Sequence, residues 1–342
     1  MKRTEAPHIY RRNGYYYLIT PEGGSGTGHA VTVARSKHLA GPYEVDPQNP
    51  MLTSRDQPEL PLQCAGHGSL VETPDGEWYM AHLCTRPIDG EYAILGRETA
   101  LQQVYWNEEG WLRLTAGGHT PRLEVPAPVG SYEAVVDQNH SIFEDMFEGP
   151  QLKKTWNSLR ILVDDNWCSL TERPGYLRLT AGESIQSLFH HHIIAIRQRD
   201  KHFRAETSLE YHPTSYLNMS GMLLYLNEDR YLYAYISYEE GQGKVLRMMK
   251  CEGDTFTLVS EVIVLEKDAP IYIAVEVNET HGQFYYHSGD KSPWEPLFER
   301  QNISFLSGGF TGNFVGIAAH DMQQFQGSYA DFAFFRYVGK DD

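Results

Sequence analysis

His8-Ile9-Tyr10-Arg11-Arg12-Asn13-Gly14-Tyr15-Tyr16-Tyr17-Leu18 reads as strand, turn, strand, and the first third of the chain is organised around it. Asn-Gly suits a two-residue hairpin because both residues tolerate positive φ. The pattern returns twice. Ser69-Leu70-Val71 runs through Asp75-Gly76 into Trp78-Tyr79-Met80. A fainter copy joins Val104-Tyr105-Trp106 through Glu109-Gly110 to Trp111-Leu112. Repeated hairpins with an aromatic after the glycine suit the blades of a β-propeller. A blade takes about 40–50 residues, so this segment supplies about two or three, too few to close a ring. An unclosed propeller exposes sheet edges, so further blade sequence is expected beyond these residues.

Working outward, turn signals recur at short intervals and helix-period stripes are nearly absent. Tyr15–Thr20, Leu223–Tyr235 and Ile271–Val277 alternate or run apolar over strand lengths. The chain reads as all-β. Pro121, Pro126, Pro128 and Gly130 mark a linker, giving blades over 1–125, a linker over 126–141 and a second domain over 142–340. That domain opens at Phe143-Glu144-Asp145-Met146-Phe147, and its evenly spaced short strands suit a two-sheet sandwich. Trp156, Phe203, Tyr231, Tyr233, Phe284 and Phe334 are its expected core.

The 342 residues suit two domains, since single cores stop growing at about 250–300 residues. A formal net charge of -16 argues against nucleic acid and anionic membranes as partners, because both need a positive face. It accommodates a neutral ligand such as a sugar. The 22 tyrosines fit sugar stacking or an all-β core equally well. Cys64, Cys84, Cys168 and Cys251 form no close pair, which suits free thiols. The N-terminus carries no signal-type apolar stretch and the chain no membrane-length apolar run, so it reads as cytoplasmic.

Four places have the residue types for chemistry. The first is Thr4-Glu5-Ala6-Pro7, directly before the aromatic hairpin, whose rings could wall a sugar pocket. Pro7 is expected to hold Ala6 extended. A lone Glu beside Pro is more often a solvated loop residue. A glycosidase, however, needs two carboxyl groups flanking the scissile bond, and nothing before Glu5 supplies the partner. The second is Glu22-Gly23-Gly24-Ser25-Gly26-Thr27-Gly28-His29, whose glycines allow a ligand close to backbone; it matches no phosphate-binding fingerprint, and a plain flexible turn competes. Gln63-Cys64-Ala65-Gly66-His67-Gly68 is the third. Its bracketed His67 is free to enter a central channel as metal ligand or donor, or to be structural. The fourth is Leu95-Gly96-Arg97-Glu98-Thr99, where a surface ion pair competes with an arginine fork holding hydroxyls. His190-His191-His192 reads as surface, since consecutive strand residues point to opposite faces.

These motifs, with His29-Ala30-Val31-Thr32-Val33-Ala34-Arg35-Ser36, resemble glycoside hydrolase family 43, and above all its two-domain β-xylosidases. Phe310-Thr311-Gly312-Asn313-Phe314-Val315-Gly316 and Ala330-Asp331-Phe332 resemble the family's C-terminal concanavalin-like sandwich. The resemblance implies a five-bladed propeller, present here only in part, followed by that sandwich. It implies exo-hydrolysis of β-1,4-xylosides with inversion, an Asp general base, a second Asp tuning the acid, and a Glu general acid. α-L-Arabinofuranosidase activity also comes with it.

Glu5 falls at the acid position, where in the complete enzyme burial and a nearby carboxylate are expected to keep it protonated. Ser25 falls at a small hydroxyl beside the sugar, His67 at the propeller centre and Arg97 at the pocket arginine. Phe310 or Phe314 matches the sandwich aromatic that closes the pocket. No cofactor is required; calcium near His67 is the one metal implied. Both aspartates belong to blades this chain lacks, which implies an incomplete site, or one completed by a separate N-terminal propeller fragment. The family's Gly is replaced by Ala6, a mild change if φ is negative, and the Arg86–Arg97 loop is short. The implied partners are a xylo-oligosaccharide or arabinoside and, as in relatives, other copies of the chain. A non-catalytic carbohydrate-binding module and an inactive remnant are the competing readings.

Overall fold

A computed structural model describes residues 3–130, 142–259, 261–289, 292–323 and 327–340. The chain divides into two compact units, 1–136 and 137–342.

In the first unit, β1 (His8–Arg12), β2 (Tyr15–Glu22), β3 (Ala30–Ser36) and β4 (Glu44–Val45) follow one another across an antiparallel sheet, and β5 (Leu52–Thr53) also pairs with β3. The second sheet is β6 (Gln63–Glu72), β7 (Trp78–Thr85), β8 (Glu98–Trp106) and β9 (Leu112–Leu114) in sequence order. Each is a meander, as expected of a blade.

The three hairpin copies have unequal roles. Asn13 and Gly14 take φ of 46° and 81°, the primed geometry that matches strand twist. The Asp75-Gly76 and Glu109-Gly110 turns are longer, closed by Gly76 N–H to Thr73 O and Gly110 N–H to Asn107 O, both 2.9 Å. The third copy is β8–β9, the outer half of the second sheet, so it founds no blade of its own. Two sheets are described in this unit.

One core serves both, built on Tyr17, Ile19, Val31, Val33, Met80, Val104, Trp111 and Leu112. Tyr17 is 1% exposed and donates to Gly110 O at 2.7 Å; the Tyr10 hydroxyl accepts from Leu70 N–H at 2.9 Å. These two hairpin aromatics therefore tie the sheets together. The buried Asp46 carboxylate is gripped by both terminal nitrogens of Arg113 at 2.5 and 3.0 Å, a second tie.

The second unit has two eight-stranded antiparallel sheets. One runs through Leu177–Thr180, Tyr329–Gly339, His202–Tyr211, Ile271–Asn278 and His281–Ser288. The other runs through Ile193–Arg197, Phe314–Asp321, Asn218–Asn227, Arg230–Glu239 and Gly243–Glu252. A large core fills the space between them, including Trp156, Phe203 and Phe284 as expected. Phe334 is only half-buried, and Phe332 and Phe335 take the core instead. The cause is a bulge: Ser208 pairs with Phe334 and Leu209 with Phe332, so Ala333 drops out of register. Tyr231 and Tyr233 are fully buried, but in a second cluster on the other face of their sheet, while Leu232 and Ala234 point to the main core.

His190, His191 and His192 precede the strand Ile193–Arg197, so strand alternation does not govern them. The surface reading is corrected for two of the three. His191 is 0% and His192 9% exposed; His192 stacks on Trp167 at 4.8 Å and holds Thr180 O with Nδ1 at 2.6 Å. All four cysteines are free. The residues expected as linker begin in contact with the second sheet, where Tyr79 donates to Pro126 O at 3.1 Å and Val129 N–H donates to Glu77 at 2.6 Å; 131–141 lie outside the described residues. Among the described residues, no helix is long and apolar enough to cross a membrane.

Candidate active site

Glu5 lies in the extended segment before β1, its N–H donating to Pro21 O at 3.4 Å. Its side chain is exposed in this chain. Ala6 departs from expectation. Pro7 should hold it extended, yet its φ is +40°, in the left-handed region. The pairing on either side explains this. His8 faces Ile19, so an unbroken register would bring Glu5 opposite Glu22, whereas its N–H reaches Pro21. One residue must leave the ladder between them, and Ala6 absorbs the kink. Ala at this position is therefore not a mild choice: a left-handed L-residue costs about 1–2 kcal/mol.

His67 sits in β6, whose pairing with β7 slips between Gln63 and Gly66 and again between Gly66 and Ser69. Cys64 and His67 take φ of 54° and 56° at these irregularities, which re-aim their side chains. The flanking glycines are there for packing. A Cβ on Gly66 would lie 2.5 Å from the His29 ring, and one on Gly68 would lie 2.6 Å from the Met80 sulfur. His67 is half-buried, its ring edge-on to His8 at 6.2 Å.

His29, at the end of the glycine-rich loop, is the residue that sequence reasoning passed over. It is 4% exposed, and its Nδ1 lies 2.9 Å from Cys64 O. A carbonyl can only accept, so Nδ1 carries the proton. Thr53 Oγ1 donates to its backbone oxygen at 2.7 Å. Burial lowers the His29 pKa, the Cys64 carbonyl opposes this, the charges of His67 and Arg97 lower it further, and Glu5 raises it. Three of the four candidate positions thus act on one imidazole. Beneath it, burial pushes His82 down to about 4, with His29 contributing.

Arg97 is half-buried just before β8. Its neighbour Glu98 is held in two-point fashion by Arg86 at 3.0 and 2.8 Å. Ser25 is exposed in the glycine-rich loop. In the second unit Phe310 is 61% exposed, whereas Phe314 opens a strand and packs half-buried on the tyrosine cluster.

Calcium takes six to eight oxygen ligands. His67 offers nitrogen, and among the described residues no group of three or more His, Cys, Asp or Glu could hold a metal ion. Among the described residues, these side chains do not by themselves form a calcium shell.

Residues 1–112 match the model of glycosyl hydrolases family 43, and residues 144–338 match that of the β-xylosidase C-terminal concanavalin A-like domain. The chain belongs to glycoside hydrolase family 43. The β-xylosidase of Bacillus subtilis (strain 168) is 36% identical over 359 aligned positions, covering 99% of this chain and 66% of the relative. A putative β-xylosidase of Escherichia coli (strain K12) is 37% identical, with 98% and 65% covered. The crystal structure of xylan β-1,4-xylosidase from Bacillus halodurans C-125 superposes with a TM-score of 0.95 at 42% identity, covering 98% of this chain and 65% of that one. This family 43 chain thus spans about two thirds of the length of these relatives. Its propeller-type sheets and concanavalin-like sandwich are those of the family.

Proposed function

We propose that this chain carries the acid half of an inverting exo-β-1,4-xylosidase site, with xylo-oligosaccharides as substrate and arabinosides as a second class. One observation carries the reading: Glu5, His67 and Arg97, from three separate segments, all act electrostatically on His29. Glu5 donates a proton to the leaving oxygen, Arg97 and Ser25 orient hydroxyls, and His67 positions the ring.

The general base, in this reading, comes from polypeptide outside the 342 residues. A separate N-terminal propeller fragment is the proposed source. Inversion needs about 6.5–9.5 Å between base and acid, room for one water. Exposure of Glu5 fits a site whose opposite wall belongs to that other polypeptide. No metal enters the proposed chemistry.

The test is to assay the chain on xylosides of graded leaving-group ability, alone and mixed with the N-terminal third of the Bacillus subtilis relative. The chain alone gives little turnover, and the mixture gives turnover. Glu5→Ala in the mixture then loses about 10²–10⁴-fold on a poor leaving group and far less on dinitrophenyl xyloside, which needs no proton. Equal loss on both substrates, or none on either, contradicts the assignment. The carbohydrate-binding alternative predicts no turnover in any mixture.

A further inference from the structure

β6 carries two bulges in succession. Its pairing with β7 sets Gln63 opposite Thr85, Gly66 opposite Leu83 and Ser69 opposite Ala81, so three steps on β6 twice meet two steps on β7. Each slip places two β6 residues against one partner: Cys64 and Ala65 against Cys84, then His67 and Gly68 against His82. The first residue of each pair, Cys64 or His67, is the one with positive φ. The first bulge therefore brings one cysteine across the ladder from another that is far from it in sequence.

Opposite positions on antiparallel strands have Cα atoms about 4.5–5.5 Å apart, within the roughly 4.4–6.8 Å that a disulfide spans. Both thiols are free in this structure, and Cys64 is close enough for its charge to raise the pKa of Cys84. The two differ as an attacking and a resolving thiol do. Cys64 is half-buried, whereas Cys84 is 1% exposed. Burial, and then the charge of Glu98, pushes the Cys84 thiol up to about 11 against the opposing pull of Arg86. The thiolate is the nucleophile, so Cys64 reacts first and Cys84 second.

We propose that Cys64 and Cys84 are a redox pair, which closes to a disulfide across the first bulge of β6 when a low-molecular-weight disulfide such as oxidised glutathione is the oxidant. The Cys64 thiolate attacks one sulfur of the oxidant, forming a mixed disulfide and releasing one glutathione thiolate. The Cys84 thiolate then attacks the Cys64 sulfur, forms the Cys64–Cys84 bond and releases the second glutathione. The pair loses two electrons and two protons, which leave as two reduced glutathiones. The Cys64 carbonyl holds His29 Nδ1–H at 2.9 Å, so closure ties the anchor of that imidazole covalently to β7. The pairing rests on the β6–β7 ladder and stands or falls apart from the proposed hydrolysis.

Treating the folded full chain with oxidised glutathione, then alkylating, digesting and reading the peptides by mass spectrometry, tests the proposal. The wild-type chain should yield one linked peptide pair joining Cys64 to Cys84, leave Cys168 and Cys251 alkylated, and recover all four thiols in dithiothreitol. Cys84→Ala should stop with glutathione on Cys64. Cys64→Gly, which suits the left-handed backbone there and is expected to fold, should leave Cys84 unmodified. Starting from the isolated mixed disulfide, closure should quicken about tenfold per pH unit near neutrality, because it waits on the Cys84 thiolate. A wild-type chain that stops at the glutathione adduct overturns the proposal. So does one that keeps all its thiols, or one whose linkage runs to Cys168 or Cys251.

Discussion

At short range, His29 of the first unit and His320 of the sandwich have the same environment. Each is buried, each holds a backbone carbonyl through Nδ1 (Cys64 at 2.9 Å, Glu183 at 2.7 Å), and burial lowers the pKa of each, that of His320 to about 3. Their further surroundings differ. His320 stands edge-on to Tyr233 at 5.5 Å, its other ring nitrogen has no partner among the described residues, and His191 and His192 lower its pKa further. Arg97, His67 and Glu5, residues of different segments and both signs, all shift the His29 pKa. Burial of an imidazole is therefore a packing event in both units. Convergence of charge from remote segments is what separates a candidate active centre from a core histidine.

The contrast can be broken at its packing end first. Gly66→Ala drives a methyl into the His29 ring, and overpacking of this kind costs about 1–3 kcal/mol. Urea unfolding should show that loss in the first unit, whereas Gly253→Ala in the sandwich meets open space and gives only the smaller penalty of a positive φ. Equal effects would mean that the His29 contact is not tight.

Acid stability sharpens the comparison next. A histidine whose pKa is lowered by folding binds its proton more readily when unfolded, so stability falls as pH drops from about 6.5 towards the folded value. For His82 and His320 the lower limits are about 4 and about 3. Between pH 6.5 and 5 each should contribute a loss of about 2 kcal/mol. Melting curves of His320→Phe over this range should be flatter than wild type; an unchanged slope would show that His320 does not titrate on unfolding.

The smallest expected effect is at Ala6. Ala6→Gly relieves the left-handed strain but gives the unfolded chain more freedom, for a net gain of about 0.5 kcal/mol. A loss of stability would argue against the kink.

What was legible in the sequence was local. The Asn13-Gly14 turn, the alternation of the sandwich strands and the order of the five motifs all follow from neighbouring residues. What escaped depended on pairing partners far along the chain. The third hairpin copy has blade-like turn chemistry, but its pairing with β7 makes it part of the second sheet. Phe334 lost its core place to a one-residue bulge against Ser208. The proline rule failed at Ala6 because the ladder to β2 outweighs it. His29 carries no local mark beyond the glycines before it, and Gly66, 37 positions later, is the only sequence sign that something large packs there.

The central claim is that Glu5 and Arg97 share one centre with His29, and imidazole titration by NMR addresses it most directly. Glu5→Gln removes a charge that raises the His29 pKa and should lower it further. Arg97→Ala removes one that lowers it and should raise it. Opposite displacements of the His29 signal are the predicted result. A His29 titration that ignores both substitutions would separate these residues and contradict the proposed active centre.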